Sequence, residues 1–140
     1  MTHLIIGSDH GGFELKSALC EWLLTFVTLT DVGTHTSESI DYPLIAQHVT
    51  AACLSHSCQG ILICGTGIGV SIQANRQPGI RAAVLYSDYV ALMARQHNDA
   101  NVACLGARTT TLFESKRYLS IWLHATFEGG RHARRIDLLG

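Results

Sequence analysis

Apolar positions along the chain fall into two kinds of run. Short unbroken stretches such as Leu4-Ile5-Ile6, Ile61-Leu62-Ile63 and Val102-Ala103-Cys104-Leu105 close on small or polar residues, and between them lie longer stretches of helical period. Strands buried on both faces read as continuous apolar runs, and their alternation with helices is the pattern of repeated βαβ units. The pattern predicts strands at 3–8, 27–33, 60–64, 81–86 and 102–106, with helices near 12–25, 42–57, 68–76, 88–96 and 110–126. Right-handed crossovers then place helices on both faces of a five-stranded parallel sheet, an α/β, doubly wound (Rossmann-like) architecture. Pattern alone does not order the strands. Analogy with other doubly wound domains gives 2-1-3-4-5 as the expectation. Pro43 suits a helix start and Pro78 a turn, and with no repeat, low-complexity tract or linker the whole of 1–140 reads as one domain.

Composition narrows the class of ligand. Of 140 residues 47% are apolar, enough for one compact core, and ten Lys and Arg against eleven Asp and Glu leave a formal charge of −1. Basic residues are scattered until the last ten positions, so no broad basic face for nucleic acid exists. No run approaches the roughly 18 apolar residues of a membrane span, and the opening Met1-Thr2-His3-Leu4 has neither a basic leader nor a cleavable apolar core, so a cytoplasmic location is expected. Cys20, Cys53, Cys58, Cys64 and Cys104 form no C-x-x-C pair, and an odd count argues against a disulfide framework. Eight histidines could meet a cysteine across distant segments to hold a metal, but no H-x-x-x-H or H-E-x-x-H spacing places two ligands on one helical face, so no metal is expected.

In doubly wound sheets ligands bind beyond the carboxyl ends of the strands, where the winding reverses. Cys64-Gly65-Thr66-Gly67-Ile68-Gly69 follows the third strand, with three glycines at alternate positions leading into a helix. Glycines let consecutive N–H groups converge, and the helix adds its positive end, so phosphate or an enolate oxygen would be stabilised there. The spacing is neither the dinucleotide fingerprint nor a P-loop, and a tight strand-to-helix turn without a ligand is the plain alternative. Cys64 stands where that helix begins, a position that favours a thiolate able to act as a base; a buried strand cysteine is the other reading.

Other chemistry-bearing residues carry similar pairs of readings. His97, within Arg95-Gln96-His97-Asn98-Asp99-Ala100-Asn101, suits proton transfer or the cap of a helix. Asp9 and His10 follow the first strand, where Asp9 could equally be an N-cap. The tail Glu128-Gly129-Gly130-Arg131-His132-Ala133-Arg134-Arg135 is either a phosphate grip or a solvated basic end; if helical, Arg131 and Arg135 share one face and Arg134 does not. His35, His48, His56 and His124 read as surface or capping residues.

These residues, with Asp41-Tyr42-Pro43, Ala74-Asn75, Gly79-Ile80-Arg81-Ala82 and the run Gly7 to Lys16, stand in the order and spacing of one family. Over essentially its whole length the chain resembles the ribose-5-phosphate isomerase B and LacAB sugar-phosphate isomerases. The resemblance implies a cofactor-free aldose–ketose isomerase of the pentose phosphate pathway. Cys64 would move a proton between carbons 2 and 1, and His97 would open the furanose ring with Asp9 assisting. Gly65, Thr66, Gly67, Ile68 and Gly69 would hold the enediolate oxygen, with Tyr42 and Asn98 contacting the sugar. Arg131, Arg135, His10 and Arg108 would take the phosphate. It further implies a homodimer or dimer of dimers with the active site between subunits, and a role for 127–140 in phosphate binding and dimer contacts. A six-carbon sugar phosphate, allose or galactose 6-phosphate, is the alternative substrate, and a non-catalytic phosphosugar-binding protein the alternative class.

Overall fold

The computed structural model describes residues 1–140. Five parallel strands, β1 (His3–Ser8), β2 (Thr28–Asp31), β3 (Gln59–Cys64), β4 (Ala82–Val84) and β5 (Val102–Gly106), form one sheet. The helices are α1 (Phe13–Leu23), α2 (Tyr42–His56), α3 (Ile68–Asn75), α4 (Asp88–Gln96), α5 (Leu112–His124) and α6 (Arg131–Asp137), with a 3-10 turn at His10–Gly12. Most expected boundaries agree to within two residues. Thr111 and Glu114 cap each other at the start of α5, the reciprocal arrangement that a T-x-x-E sequence encodes. No helix is long and apolar enough to cross a membrane.

The strand order is 2-1-3-5-4, which corrects the expected 2-1-3-4-5. Burial explains the exchange of the last two strands. All five residues of β5 are buried, whereas the three of β4 are only half-buried, so β5 takes the inner position and β4 the edge. From β3 the chain steps two places outward through α3 to β4, then one place back through α4 to β5. Right-handed crossovers in opposite directions put the intervening helices on opposite faces. Accordingly Val70 and Ala74 of α3 pack with Ile45, Val49 and Cys53 of α2, while Ala91 and Ala94 of α4 pack with Leu19 of α1 and Leu119 and Trp122 of α5.

This winding reverses on both sides of β3. Loops after β1 and β5 lead to helices on one face and the loop after β3 to a helix on the other, so the end of β3 is flanked by two crevices. The edge strand β2 is held from beneath by a buried ion pair. Lys16 of α1, 1% exposed, donates through Nζ to both carboxylate oxygens of Asp31 at 2.7 and 2.6 Å, and Asp31 also accepts from the Gly33 N–H.

Candidate active site

The carboxyl edge of the sheet gathers one group of residues. Cys64 ends β3 with 6% of its surface exposed, and the Gly67 N–H points at its sulfur across 3.2 Å. That contact needs Gly67 at φ +80°, and a β-carbon there would lie 3.1 Å from the Leu105 carbonyl carbon, which is why glycine stands there. The Thr66 hydroxyl accepts from the Ile68 N–H at 3.2 Å, and the ladder of α3 starts only with Ser71 donating to the Gly67 carbonyl. The first-turn amides of Gly69 and Val70 lie ahead of that ladder and remain available as donors. A side chain at Gly69 would strike the Tyr42 ring, 2.5 Å from the position of a β-carbon, so Tyr42 forms a wall beside these amides.

Arg108 and the β1 loop flank the same point. Arg108 follows β5, donates its N–H to the Gly65 carbonyl at 2.9 Å, and lays its guanidinium within 3.4–3.6 Å of where a Gly65 β-carbon would be. From the other side Gly11 comes within 4.0 Å of the Gly65 nitrogen by the same measure. Asp9 takes the alternative reading of its position, an N-cap: its Oδ1 accepts from the Gly12 N–H at 3.1 Å. His10 is exposed, and its Nδ1 accepts from the Ile40 N–H at 3.1 Å. A ring nitrogen that accepts carries no proton, so neutral His10 is the Nε2–H tautomer and presents a donor outward. Sequence reasoning missed this contact because Ile40 is thirty residues away.

His97, Asn98, Arg131 and Arg135 are not at this edge. His97 is the C-cap of α4, which runs antiparallel to the strands and ends at the opposite, amino edge. Asn101 marks the level: its carbonyl accepts from the Gly60 N–H, near the start of β3, at 2.9 Å. Gly60 and Cys64 are four positions apart on β3, about 13 Å along the strand. Ion pairs and hydrogen bonds tie down the amino-edge loop. Arg81 and Arg95 both bind the carboxylate of Asp99, at 3.2 and 2.9 Å, and Asn101 pairs with the Arg81 N–H and the Gly79 carbonyl. Those contacts hold Asp99 at φ +45° and leave Asn98 exposed beside His97.

The C-terminal segment joins this second group. The Glu128 N–H donates to the Gln96 carbonyl at 3.0 Å, and Gly129 and Gly130, at φ +69° and +58°, turn the chain into α6. His132 then stacks on His97, with ring centroids 4.0 Å apart and planes inclined by 15°, and its Nε2 lies 3.5 Å from Glu128 Oε2. Burial first, then the neighbouring His97 and Arg131, push the His132 imidazole below its ordinary range, against the opposing pull of Glu128. Arg131 and Arg135, four apart, are exposed and free of carboxylate partners. Sequence reading gave no role to Glu128 or His132, although their i,i+4 spacing was a signal.

His97, Glu128 and His132 are also the one trio able to offer ligands to a metal, with ligand atoms all within 4.8 Å. Tetrahedral zinc with bonds near 2.0–2.1 Å needs ligand atoms about 3.3 Å apart, so the trio would have to close up to hold one. The five cysteines are free, and burial pushes the Cys53 thiol up to about 12. His35 and His48 are exposed, and His56 and His124 bind the carbonyls four residues back, as surface or capping residues do.

The family model described as Ribose/Galactose Isomerase matches residues 4–139. Ribose-5-phosphate isomerase B of Escherichia coli K12 is 43% identical over 141 residues, covering 99% of this chain and 95% of that protein. Among solved structures, ribose-5-phosphate isomerase B of Clostridium thermocellum superposes with a TM-score of 0.95 at 47% identity, over 97% of this chain and 93% of that one. The Mycoplasma genitalium enzyme, solved with bound ribulose-5-phosphate, gives a TM-score of 0.93 at 42% identity, over 97% and 92%.

Proposed function

The chain belongs to the ribose/galactose isomerase family, and from that premise we propose that it interconverts ribose 5-phosphate and ribulose 5-phosphate at a site shared by two copies. One copy supplies the carboxyl edge and the other the amino edge. The observation that carries the reading is Cys64, its sulfur met by the Gly67 N–H at 3.2 Å beside the open first-turn donors of α3. With that N–H set against it, the sulfur is the base that takes the proton from carbon 2. Charge develops on the carbonyl oxygen as that bond polarises, and the α3 amides stabilise it where water is displaced; one such donor contributes about 10²–10³ in rate. The proton then returns to carbon 1, and the hydroxyl proton of carbon 2 passes to oxygen 1.

Distance supports a site built from two copies. Carbon 2 and the ring oxygen of the furanose are two bonds apart, so a base on one and a proton donor on the other stand within roughly 9 Å of each other at reactive contact distances of about 3–3.5 Å. The gap along β3 within one chain is larger. Ile68 and Ile72 are 55% and 54% exposed and lie four apart on α3. Antiparallel packing of α3 on its counterpart would cover them, and an eight-residue helix spans about 12 Å, the offset that brings one copy's amino edge to the other's carboxyl edge.

In that assembly His97 of one copy takes the anomeric hydroxyl proton and protonates the ring oxygen, with Asp9 of the other copy nearby and Asn98 and Tyr42 on the sugar hydroxyls. His10 Nε2–H and Arg108 hold the phosphate from one side, and Arg131 and Arg135 from the other. Binding energy from the phosphate orients the reacting carbons. A charged sugar phosphate and five free thiols suit a reducing cytoplasm. The test is a coupled assay of the purified protein with chelator present, offering ribose 5-phosphate and allose 6-phosphate side by side. Preferential turnover of ribose 5-phosphate is expected; preference for the hexose phosphate refutes the substrate, and no turnover of either refutes the activity.

A further inference from the structure

The stack of His132 on His97 is left unused by the scheme above, and its construction is specific. Four features converge on it: the Glu128 N–H bound to the end of α4, two glycines with positive φ, a helix that starts immediately after them, and an imidazole that is 7% exposed lying face to face on another. Packing alone does not ask for histidine at 132. A phenylalanine would fill a buried stack without bringing a polar ring nitrogen out of water. The nitrogen has a counterpart in the Glu128 carboxylate, 3.5 Å from Nε2 and 49% exposed.

We propose that His132 and Glu128 are positioning residues for ring opening: His132 fixes the plane of His97 by stacking on it, and Glu128 fixes His132. The proposal rests on the isomerase reading and adds to it the part that orients the proton-transfer group. His97 is only half-buried and sits at a helix end, where no hydrogen bond holds its ring. Transfer to a ring oxygen requires one nitrogen to meet it within about 3–3.5 Å, and an ångström of misplacement costs up to about a hundredfold. When His97 gains its proton, the face of a neutral imidazole and the carboxylate behind it accommodate the charge. A second cation in the stack would oppose it. Four charged or titratable groups face His132: His97 from the end of α4, Glu128 ahead of α6, and Arg131 and Arg135 from α6 itself.

Ring opening and enolisation separate experimentally. Ribulose 5-phosphate has its 5-oxygen blocked by phosphate and stays open-chain, so exchange of solvent deuterium into its carbon 1 needs the base at Cys64 but not ring chemistry. His132→Ala should lower kcat for ribose 5-phosphate by about ten- to a hundredfold with KM within about threefold, while deuterium wash-in to ribulose 5-phosphate stays within about threefold of the native rate. Glu128→Gln and His132→Phe, which preserves a flat ring, should give smaller losses and move the acid limb of the kcat profile. A parallel fall of isomerisation and exchange in all three variants overturns the proposal in favour of a merely structural role. Unchanged kcat in all three also overturns it. Native protein that neither isomerises nor exchanges would sink the isomerase reading itself, an outcome distinct from either.

Discussion

Two inactive variants should restore each other. Cys64→Ala chains keep His97, and His97→Asn chains keep Cys64, so each homodimer lacks one member at both sites. On the proposed shared site, the roughly 13 Å between the Gly60 and Cys64 levels of β3 would keep either chain from completing a site with its own residues, because a base and a ring-opening group must stand within roughly 9 Å. In a mixed dimer one site receives Cys64 from one chain and His97 from the other, and the second site lacks both. Random association of equal amounts makes half the dimers mixed, each with one of two sites intact, so about a quarter of native activity returns. The assay is ribose 5-phosphate turnover after the two purified variants are co-refolded, with the mixed species counted by native mass spectrometry. Mixed dimers present in the expected share but inactive would refute assembly of the site from opposite sheet edges. So would either variant alone retaining more than about a tenth of native turnover.

Single variants test the remaining parts. Cys64→Ala should lose at least about a hundredfold in kcat, the scale of general-base catalysis, with calorimetric affinity for ribose 5-phosphate little changed; full turnover removes Cys64 from the mechanism. Arg131→Ala should raise KM roughly ten- to a hundredfold, as loss of a charge-assisted contact of about 1.5–3 kcal/mol does, and leave unphosphorylated ribose binding unaltered. Lys16→Met should cost about 2 kcal/mol, reduced from the roughly 3–5 kcal/mol of a fully buried pair because Asp31 keeps 30% exposure, and lower Tm by about 4–8 °C in calorimetry. His132 has a folded pKa below its unfolded value, so the unfolded chain takes up the proton first as pH falls. The stability it contributes is intact above the imidazole range and declines as pH drops through about 6.5; denaturant midpoints between pH 8 and 5 should fall less steeply in His132→Phe.

What the sequence disclosed and what it withheld divide along a physical line. Local rules placed the elements: unbroken apolar runs for β1, β3 and β5 and a proline at the start of α2. Adjacency is set by which run is buried on both faces, and the residues did not disclose that. Ala82 to Leu85 and Val102 to Gly106 are both free of polar residues and both bounded by them, Arg81 and Ser87 around the first and Asn101 and Arg108 around the second, so the difference in burial appears only in the fold. The same limit applied to the candidate site. Cys64 and the glycine loop were legible because a strand turning into a helix is a local event. The sequence also grouped them with His97 and the terminal arginines in one function, yet their placement at opposite edges follows from α4 running against the strands. A constellation that a single fold divides between its two edges is informative in its own right. If those residues share one chemistry, the proposed two-fold pairing of copies would join the two edges, and the exposed isoleucines of α3 are the surface on which that pairing is proposed.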